Sequence, residues 1–430
     1  MQVTMNYGRH GLMLELPDAW DVQVIEKRSM PLEPKPEQAV EKALSTPIGS
    51  GPLVEEARGK RRVCILICDI TRPVPNGLVL PQVLRALMAA GIEPRNIEIL
   101  IATGLHRPNL DEEMREVVGS DHILQTVKVS NHYGRRDEDH VRVGVTSRGT
   151  EVLLDRRFVE ADLKLVIGLV EPHLMAGYSG GRKVITPGIC HEQTIRRLHS
   201  AVYMEHPKAT NCVLEGNPLH QEQLEIVHLL GTVLGINTII DPHRRLSFVN
   251  FGNIVDAHLQ AVDFIRDYAE VAVPGPFGTV ITSSAGYPLD KTYYQTVKGM
   301  VAAREILASG GDLFIVSEIS EGMGSVHYLE AQKLLSDLGP DGFLSEIRTR
   351  QHARIDEWQT EMQLRPMRRG RIRLFSRGLD RSDHALTGID VIDDLDVFLN
   401  AVRESVGSEQ RLAVIPEGPY VMPFVQPRGR

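Results

Sequence analysis

This chain of 430 residues has few cysteines, no long apolar run and no excess of basic charge, and each of these features argues against a class of protein. The four cysteines, Cys64, Cys68, Cys190 and Cys212, form no CxxC pair, which argues against a thiolate zinc site and a disulfide framework. The sequence contains no run of about 18 apolar residues, so it predicts no membrane-spanning helix. The first residues carry no basic stretch followed by an apolar one, so we expect no signal peptide and a cytoplasmic location.

The charge balance is mildly acidic, with 48 Lys and Arg against 56 Asp and Glu and a net charge of −8. This balance argues against nucleic acid as a main partner, and nothing indicates a membrane partner. Apolar residues make up 42% of the chain and charged residues 24%, as in ordinary globular proteins. The length predicts two or three domains.

Apolar strands alternate with helical segments along two stretches of the chain. The first stretch has strands at 62–70, 97–104, 126–132, 141–146 and 163–170, with helices at 78–91 and 109–119. The second has strands at 278–286, 311–320 and 371–379, with helices at 291–308 and 327–339. Alternation of this kind favours α/β domains with mainly parallel sheets. A hairpin at the N-terminus and a short helix around 37–45 complete the prediction.

We therefore predict two α/β domains, divided near 272–278, where Pro and Gly cluster. The larger domain, with a mainly parallel sheet, comprises residues 1–272 together with 405–430, because the apolar tail is expected to return to it as a last strand. The smaller domain comprises residues 273–404.

Polar residues gather directly after the strands of the first stretch. In open α/β sheets, ligands bind at the carboxyl ends of the strands. Segment 69–72 follows the first strand, His106 follows the second, and His173 precedes the glycine-rich segment 177–188. Each has a structural alternative: an ordinary hydrogen-bonding histidine, a loop ion pair, or a flexible turn that matches neither phosphate-binding glycine motif. Their concentration at one end of a single sheet favours a functional site.

Three residues of the second stretch share one helix face. Tyr294 and Lys298 are four residues apart, and Gln295 and Lys298 are three apart, on a helix that begins just after a strand. A cation beside an amide at that place suits a carboxylate ligand, although a surface lysine is the simpler interpretation.

Two histidine-containing segments invite a metal interpretation. His199 lies in a predicted helix over 191–206, where a capping or core role is the simpler interpretation. The segment 130–140 contains two histidines and three acidic residues, and its charge density favours a solvated loop.

Six segments, taken together, resemble the nickel-dependent lactate racemase family, and they follow the family order over most of the chain. They are CDITRPVPN (68–76), ATGLHRPN (102–109), EPHLMAGYSGGRKVITPGI (171–189), LHS (198–200), GYPLDKTYYQTVKG (286–299) and DEWQTE (356–361). The resemblance implies a two-domain α/β isomerase with its active site in the cleft. It also implies a racemase or epimerase of a small, lactate-like 2-hydroxy acid, which acts by hydride transfer through a 2-keto acid.

The resemblance assigns a cofactor and residue roles. The cofactor is a nickel-pincer nucleotide (nickel pyridinium-3,5-bisthiocarboxylic acid mononucleotide), attached covalently at Lys183, with His199 as the protein ligand to nickel. His106 and His173 are implied as general acid/base groups. The implied cofactor-binding residues are Asp69, Ile70, Thr71, Arg72, His173 and Lys183. The implied substrate-binding residues are Arg72, Tyr294, Gln295, Lys298 and Trp358. Ile70 stands where relatives often carry a histidine.

The chemistry is consistent with these residue types. Removing hydride from Cα, rather than a proton, needs an acceptor that no side chain supplies, so a cofactor is required. Histidine, with an ordinary pKa of about 6.5, can take or give the hydroxyl proton near neutral pH. Three alternatives stay open: a larger, dicarboxylic or sugar-acid substrate, a zinc hydrolase that uses the same histidines, and a non-catalytic cofactor-binding protein. The expected partners are the small hydroxy acid and the enzymes that make the cofactor.

Overall fold

The computed structural model describes residues 1–408 and 410–426, and the chain divides into two compact units. The first unit comprises Ser29–Leu198 and Val213–Asp267. The second unit comprises Met1–Arg28, His199–Cys212 and Tyr268–Arg430. The end of the predicted 405–430 segment, at 427–430, lies outside the described residues, as does residue 409.

The strands, numbered in chain order, are β1 (Gln2–Met5), β2 (Leu12–Glu15), β3 (Asp21–Val24), β4 (Val63–Cys68), β5 (Ile97–Ala102), β6 (Lys128–Asn131), β7 (His140–Val145), β8 (Glu151–Asp155), β9 (Leu163–Leu169), β10 (Pro172–His173), β11 (Gly177–Tyr178), β12 (Leu234–Ile240), β13 (Leu246–Asn253), β14 (Glu270–Val273), β15 (Phe277–Ser283), β16 (Leu307–Val316), β17 (Gly370–Phe375), β18 (Asp390–Ile392), β19 (Arg411–Ile415) and β20 (Met422–Val425).

The α-helices are α1 (Pro36–Ser45), α2 (Leu53–Ala57), α3 (Asn76–Ala89), α4 (Asp111–Val118), α5 (Asp121–Thr126), α6 (Arg156–Val159), α7 (Arg182–Ile185), α8 (Glu192–Leu198), α9 (Ala201–Met204), α10 (Pro218–Leu229), α11 (Ile254–Ala269), α12 (Tyr293–Ala303), α13 (Val326–Arg348), α14 (Glu357–Met367) and α15 (Leu395–Val406). Among the described residues, no helix combines the length and the apolar character that crossing a membrane requires.

The sheet of the first unit has the strand order β13-β12-β9-β4-β5-β6. Its pairings are parallel except for the antiparallel edge pair β12 and β13. The chain runs outward from β4 through β5 to β6 on one side, and β9 and β12 lie on the other side. This reversal makes the ends of β4 and β9 a topological switch point, where open α/β sheets bind ligands.

The core of the first unit forms because β4, β5 and β9 are nearly continuous apolar runs, as parallel strands covered on both faces require. Helix α3 buries Val79, Val83 and Leu87, spaced four residues apart, in the same apolar cluster as Ile65 and Ile99 of the sheet. Full burial of one such side chain stabilises the fold by about 1.5–3 kcal/mol. This packing holds the ends of β4, β5 and β9 in fixed positions.

The sheet of the second unit has the order β18-β17-β16-β15-β19-β3 and is parallel at every pairing. Both of its faces are apolar. Leu313 and Ile315 of β16 belong to one buried cluster, and Phe314 and Val316 belong to another, as the two-residue period of a strand dictates. The switch point lies between β15 and β19, and α12 follows β15.

The α/β fold class with mainly parallel sheets is confirmed, but the division of the chain differs from the predicted one. Strand β19 pairs with β15 and β3 in the second unit and does not extend the sheet of the first unit. The N-terminal hairpin also belongs to the second unit. The reason is burial: Leu412 and Val414 of the tail share an apolar cluster with Val3 and Met5.

Two local predictions need correction. The predicted helix over 191–206 is divided into α8 and α9, because Ser200 adopts the extended conformation of an N-cap and interrupts the helix. His199 therefore lies at a break and not within a helix. The helix predicted to begin at residue 109 is α4, which begins at Asp111 with Leu110 as its N-cap. Asn109 instead uses its side chain to brace a loop of the site, as described below.

Candidate functional site

A buried carboxylate at the end of β4 holds a histidine from the end of β5. Asp69 is 5% exposed, and its Oδ2 lies 2.6 Å from Nδ1 of His106. Its Oδ1 accepts hydrogen bonds from the hydroxyl and the backbone N–H of Thr71, at 2.6 and 3.2 Å. Burial alone would raise the pKa of Asp69, but these bonds and the nearby Arg72 lower it below its ordinary value. The carboxylate therefore stays ionised and orients the imidazole, whose side chain is 62% exposed.

Arg72 connects the ends of β4 and β9. Its Nε lies 3.3 Å from Oε1 of Glu171, across the switch point of the sheet. Both side chains are about one quarter exposed, at 24% and 26%, so the pair retains access to solvent. Sequence patterns do not predict a role for Glu171, because its pairing with Arg72 depends on strand order and not on spacing along the chain.

Lys183 lies in the short helix α7, immediately after the glycine-rich turn. Burial, followed by the positive charge of Arg72, lowers the pKa of Lys183 to about 7. Gly168 in β9 lets the glycine-rich turn before α7 pack closely against the strand, because a Cβ atom at position 168 would lie 3.0 Å from the Cα of Gly180. A lysine amine that is about half neutral at pH 7 is able to act as a nucleophile.

His173 lies in β10, which pairs with β11 to form a small antiparallel hairpin. It is 8% exposed, and its Nδ1 accepts hydrogen bonds from the backbone N–H groups of Met175 and Ala176, at 3.4 and 3.3 Å. The histidines after β5 and β9 are not on adjacent strands, because β4 lies between these strands. The two strand ends are therefore about 10 Å apart.

Arg182 is a positioning residue that the sequence did not reveal. It is 2% exposed and donates hydrogen bonds to the carbonyl oxygens of Ala176 and Tyr178, at 2.9 and 3.2 Å. Its Nε donates to Nδ1 of His220 at 2.7 Å. Burial and the charge of Arg182 lower the pKa of His220 to about 3, which keeps that ring a neutral acceptor. Arg182 thus fastens the hairpin that carries His173.

Ile70 directly follows the buried Asp69 at the end of β4. Its side chain packs against the apolar core of the first unit, and its N–H donates to Oδ1 of Asn109 at 3.2 Å. Asn109 and Asn131 exchange two hydrogen bonds of 2.9 Å between side chain and backbone. These buried amides brace the loops after β4 and β5 against β6. No local pattern in the sequence predicts their pairing.

In the second unit, His199 lies against Trp358. The two rings have centroids 4.5 Å apart and an angle of 42° between their planes. Trp358 is 7% exposed and donates from Nε1 to the hydroxyl of Tyr294 at 3.2 Å. Burial raises the pKa of Tyr294 well above its ordinary value, so its hydroxyl stays protonated. The family aromatic at 358 therefore fixes the orientation of an imidazole.

Gln295 and Lys298 lie on the same helix as Tyr294, in the first turns of α12, which begins at the N-cap Thr292. Both side chains are half-buried. Within the part of the chain that the structure describes, Oε1 of Gln295 is buried without a hydrogen-bond partner. An unpaired buried amide oxygen costs stability and is expected to find its partner in a ligand.

The histidine-rich segment 130–140 is only partly solvated. Its residues 135–138 are exposed, as predicted, but His132 and His140 are buried. Their rings meet edge to face with centroids 5.1 Å apart, and the ring of His191 follows at 5.0 Å from His140. Over residues 1–408 and 410–426, no group of three His, Cys, Asp or Glu side chains is arranged to hold a metal ion. His132 and His140 of this segment thus form a cluster of edge-to-face rings with His191.

The predicted site residues thus form two groups. In the first unit, a carboxylate paired with a histidine, an Arg–Glu ion pair and a lysine of lowered pKa gather at the carboxyl ends of one mainly parallel sheet. In the second unit, His199, Trp358 and the residues of α12 form the other group. Such an arrangement is typical of an α/β enzyme.

Comparisons with known proteins agree on one family. The lactate racemase N-terminal domain model matches residues 7–211, and the lactate racemase C-terminal domain model matches residues 275–422. The lactate racemase of Thermoanaerobacterium thermosaccharolyticum is 30% identical over 424 residues, which is 98% of each chain. The lactate racemase of Lactiplantibacillus plantarum is 31% identical over 384 residues, which is 89% of each chain. The chain belongs to the lactate racemase family, and it is accordingly an isomerase.

Solved structures agree with this assignment. The lactate racemase apoprotein of Thermoanaerobacterium thermosaccharolyticum superposes with a TM-score of 0.90 at 29% identity, over 99% of this chain and all of that one. A protein of Thermotoga maritima, at 18% identity, has a TM-score of 0.67 over 92% of this chain. The latter likeness concerns the fold alone.

Proposed function

We propose that this chain racemises lactate, or a closely related small 2-hydroxy acid, with a nickel-pincer nucleotide attached at Lys183. The observation that carries the proposal is the state of Lys183. Its pKa of about 7 gives the amine the free electron pair that covalent attachment needs. This environment disfavours the charged amine, so it does not suit a lysine whose role is only its positive charge.

The residues of the chain fit a cofactor that brings its own metal. A catalytic zinc ion usually takes three protein ligands, and the described residues offer no such group. A single imidazole such as His199, oriented by Trp358, suits a nickel ion whose remaining ligands belong to the cofactor. When bound, the cofactor would supply the acceptor that takes the Cα hydrogen of the substrate as hydride and returns it.

The remaining residues bind the substrate and handle its oxygen atoms. Arg72 and Lys298 provide cations for the carboxylate, and the unpaired Oε1 of Gln295 provides an acceptor for a hydroxyl group. His106 and His173 act as general acid/base groups, which take the proton of the substrate hydroxyl group and return it.

The test is to produce the chain together with the enzymes that synthesise the cofactor and to measure the mass of the intact protein. A covalent mass increment on wild type that Lys183→Ala abolishes supports the attachment. Lys183→Arg is the matched control, because it keeps a cation but cannot form the same bond. An increment that persists in Lys183→Ala refutes the assignment.

Turnover is measured on the loaded protein with a panel of single-enantiomer 2-hydroxy acids and chiral chromatography. Racemisation of lactate supports the proposal, and retention of a Cα-deuterium label supports hydride return. Faster turnover of a dicarboxylic, aromatic or sugar acid would correct the substrate. Loading without turnover of any member would favour a cofactor-binding protein.

A further inference from the structure

A short segment of the chain, residues 199–212, belongs to the second unit although both of its neighbours belong to the first. The chain passes into the second unit after Leu198 and returns to the first at Val213. The segment begins with His199 and contains the four-residue helix α9. A helix this short gains little stability from its own hydrogen bonds, so its position depends on contacts with the rest of the second unit.

Helix α14 contacts this segment at two places from one face. Trp358 and Arg365 are seven residues apart, which is close to two helical turns, so they share a face and lie about 10 Å apart along the axis. Trp358 lies against His199, with ring centroids 4.5 Å apart. Next to Arg365, Leu364 shares a buried apolar cluster with Ala201 of α9. The helix therefore meets the segment both at its histidine and further along.

Arg365 makes the second contact through its guanidinium group. Its Nη1 donates to the carbonyl oxygen of Ala209 at 2.7 Å, and its Nη2 donates to the carbonyl oxygens of Met204 and His206, the latter at 3.2 Å. Met204 is the last residue of α9, so its carbonyl group has no partner within the helix. One planar group thus fixes three points of the main chain.

This arrangement is costly, because Arg365 is a buried cation that is only 7% exposed. Burial and the nearby Arg304 lower its pKa to about 10, so it is still charged at neutral pH. The adjacent Glu361 does not neutralise it, since burial raises the pKa of that carboxyl group well above its ordinary value. An apolar side chain would fill the position without this desolvation cost, so the carbonyl contacts explain why an arginine is present.

We propose that Arg365 is a positioning residue for the nickel ligand: it holds the main chain of residues 199–212 on α14, so that the imidazole of His199 stays against Trp358. This inference rests on the proposed function, in which His199 is the protein ligand to nickel. An imidazole that is already oriented loses little freedom when it binds the metal. Without Arg365, α9 keeps its apolar contact with Leu364, and apolar contacts do not fix a direction.

The test uses the cofactor-free protein, produced with histidine that carries ¹³C at Cε1 and studied by ¹H–¹³C correlation spectra at pH 8. The ring current of Trp358 displaces the Hε1 signal of the stacked imidazole, and His199→Gln identifies this signal by its disappearance. Trp358→Leu gives the position of the signal without the indole. We expect Arg365→Met to move the His199 signal most of the way to that position. An unmoved signal would overturn the inference.

Arg368→Met is the matched control, because Arg368 lies on the same helix and also reaches the segment. Its Nη1 lies 3.1 Å from Oε2 of Glu205 in an exposed ion pair, and such pairs contribute little. The His199 signal should stay in place in this variant. An equal displacement in Arg368→Met and Arg365→Met would show that the signal reports any change in α14, which would refute the assignment.

The signal of His384, elsewhere in the second unit, shows whether that unit remains folded in each variant. If Arg365→Met does not fold, Arg365→Lys decides in its place. Lysine keeps the charge but cannot span three separate carbonyl groups, so the His199 signal should move in the same direction. An unmoved signal in folded Arg365→Lys would then overturn the inference.

Turnover of the loaded enzyme provides an independent measurement. Arg365→Lys should carry the same mass increment at Lys183 as wild type and lower kcat about 10–100-fold. KM should stay near that of wild type, because the proposed substrate contacts Gln295 and Lys298 lie on α12. A rise in KM as large as the fall in kcat would show a general disturbance and refute the positioning role. If wild type racemises no hydroxy acid, the proposed function fails, whereas the His199 signal still decides whether Arg365 orients this ring.

Discussion

The amine of Lys183 should titrate near neutrality in the protein without its cofactor. With a pKa of about 7, roughly half of these amines are neutral at pH 7, whereas an ordinary lysine near 10.5 is about 0.03% neutral. The reactive form is therefore about a thousandfold more abundant at neutral pH. Burial and the cation of Arg72 are the two main causes.

The assay is competitive labelling with a trace of acetic anhydride between pH 5.5 and 10.5, read by peptide mass spectrometry. The exposed Lys42 is the internal reference. The labelling rate of Lys183 should reach half its maximum near pH 7. Arg72→Met should move this midpoint upward, because a neighbouring positive charge is lost. Each pH unit of that movement corresponds to about 1.4 kcal/mol of repulsion removed.

Arg72→Lys is the matched control, since it preserves the charge and should leave the midpoint near 7. A wild-type midpoint close to that of Lys42 would refute the reasoning about burial. A midpoint that is the same in Arg72→Met and wild type would refute the contribution of the cation.

Two further predictions concern stability and substrate binding. Burial would raise the pKa of Asp155, but hydrogen bonds from His132 and Arg157 lower it to about 2. The ionised carboxylate therefore stabilises the fold above about pH 4, and this contribution is lost as the pH falls toward 2. Asp155→Asn should therefore lower the free energy of unfolding by about 3–5 kcal/mol at pH 7, measured by urea denaturation, and by much less near pH 2; an equal difference at both pH values would contradict the linkage. Lys298→Ala in the loaded enzyme should raise KM about 10–100-fold with a smaller effect on kcat, and Lys298→Arg should recover part of the loss; an unchanged KM would exclude a carboxylate contact.

The sequence predicted the main elements of the fold because their patterns are local. The apolar runs of β4, β5 and β9 follow directly from strands buried on both faces. The amphipathic spacing of α3 and α12 is equally local. For the site, the rule that ligands bind at the carboxyl ends of strands was enough to select Asp69, His106 and His173 for attention.

The rest depended on contacts between distant segments. The pairing of β3 with β19 joins residues almost four hundred positions apart, which no local pattern encodes. The pairs Arg72–Glu171 and Asn109–Asn131 depend on which strands are neighbours. The break at Ser200 reflects one residue in an extended conformation within an otherwise helical pattern.

The pairing of β3 with β19 also has a consequence for synthesis. A ribosome delivers Asp21–Val24 almost four hundred residues before Arg411–Ile415. Until β19 is synthesised, β3 lacks its sheet partner and is accessible to chaperones and to other nascent chains. The sheet of the second unit is therefore completed only after Arg411–Ile415 has been synthesised, and a fragment that stops before Arg411 should not acquire the native sheet.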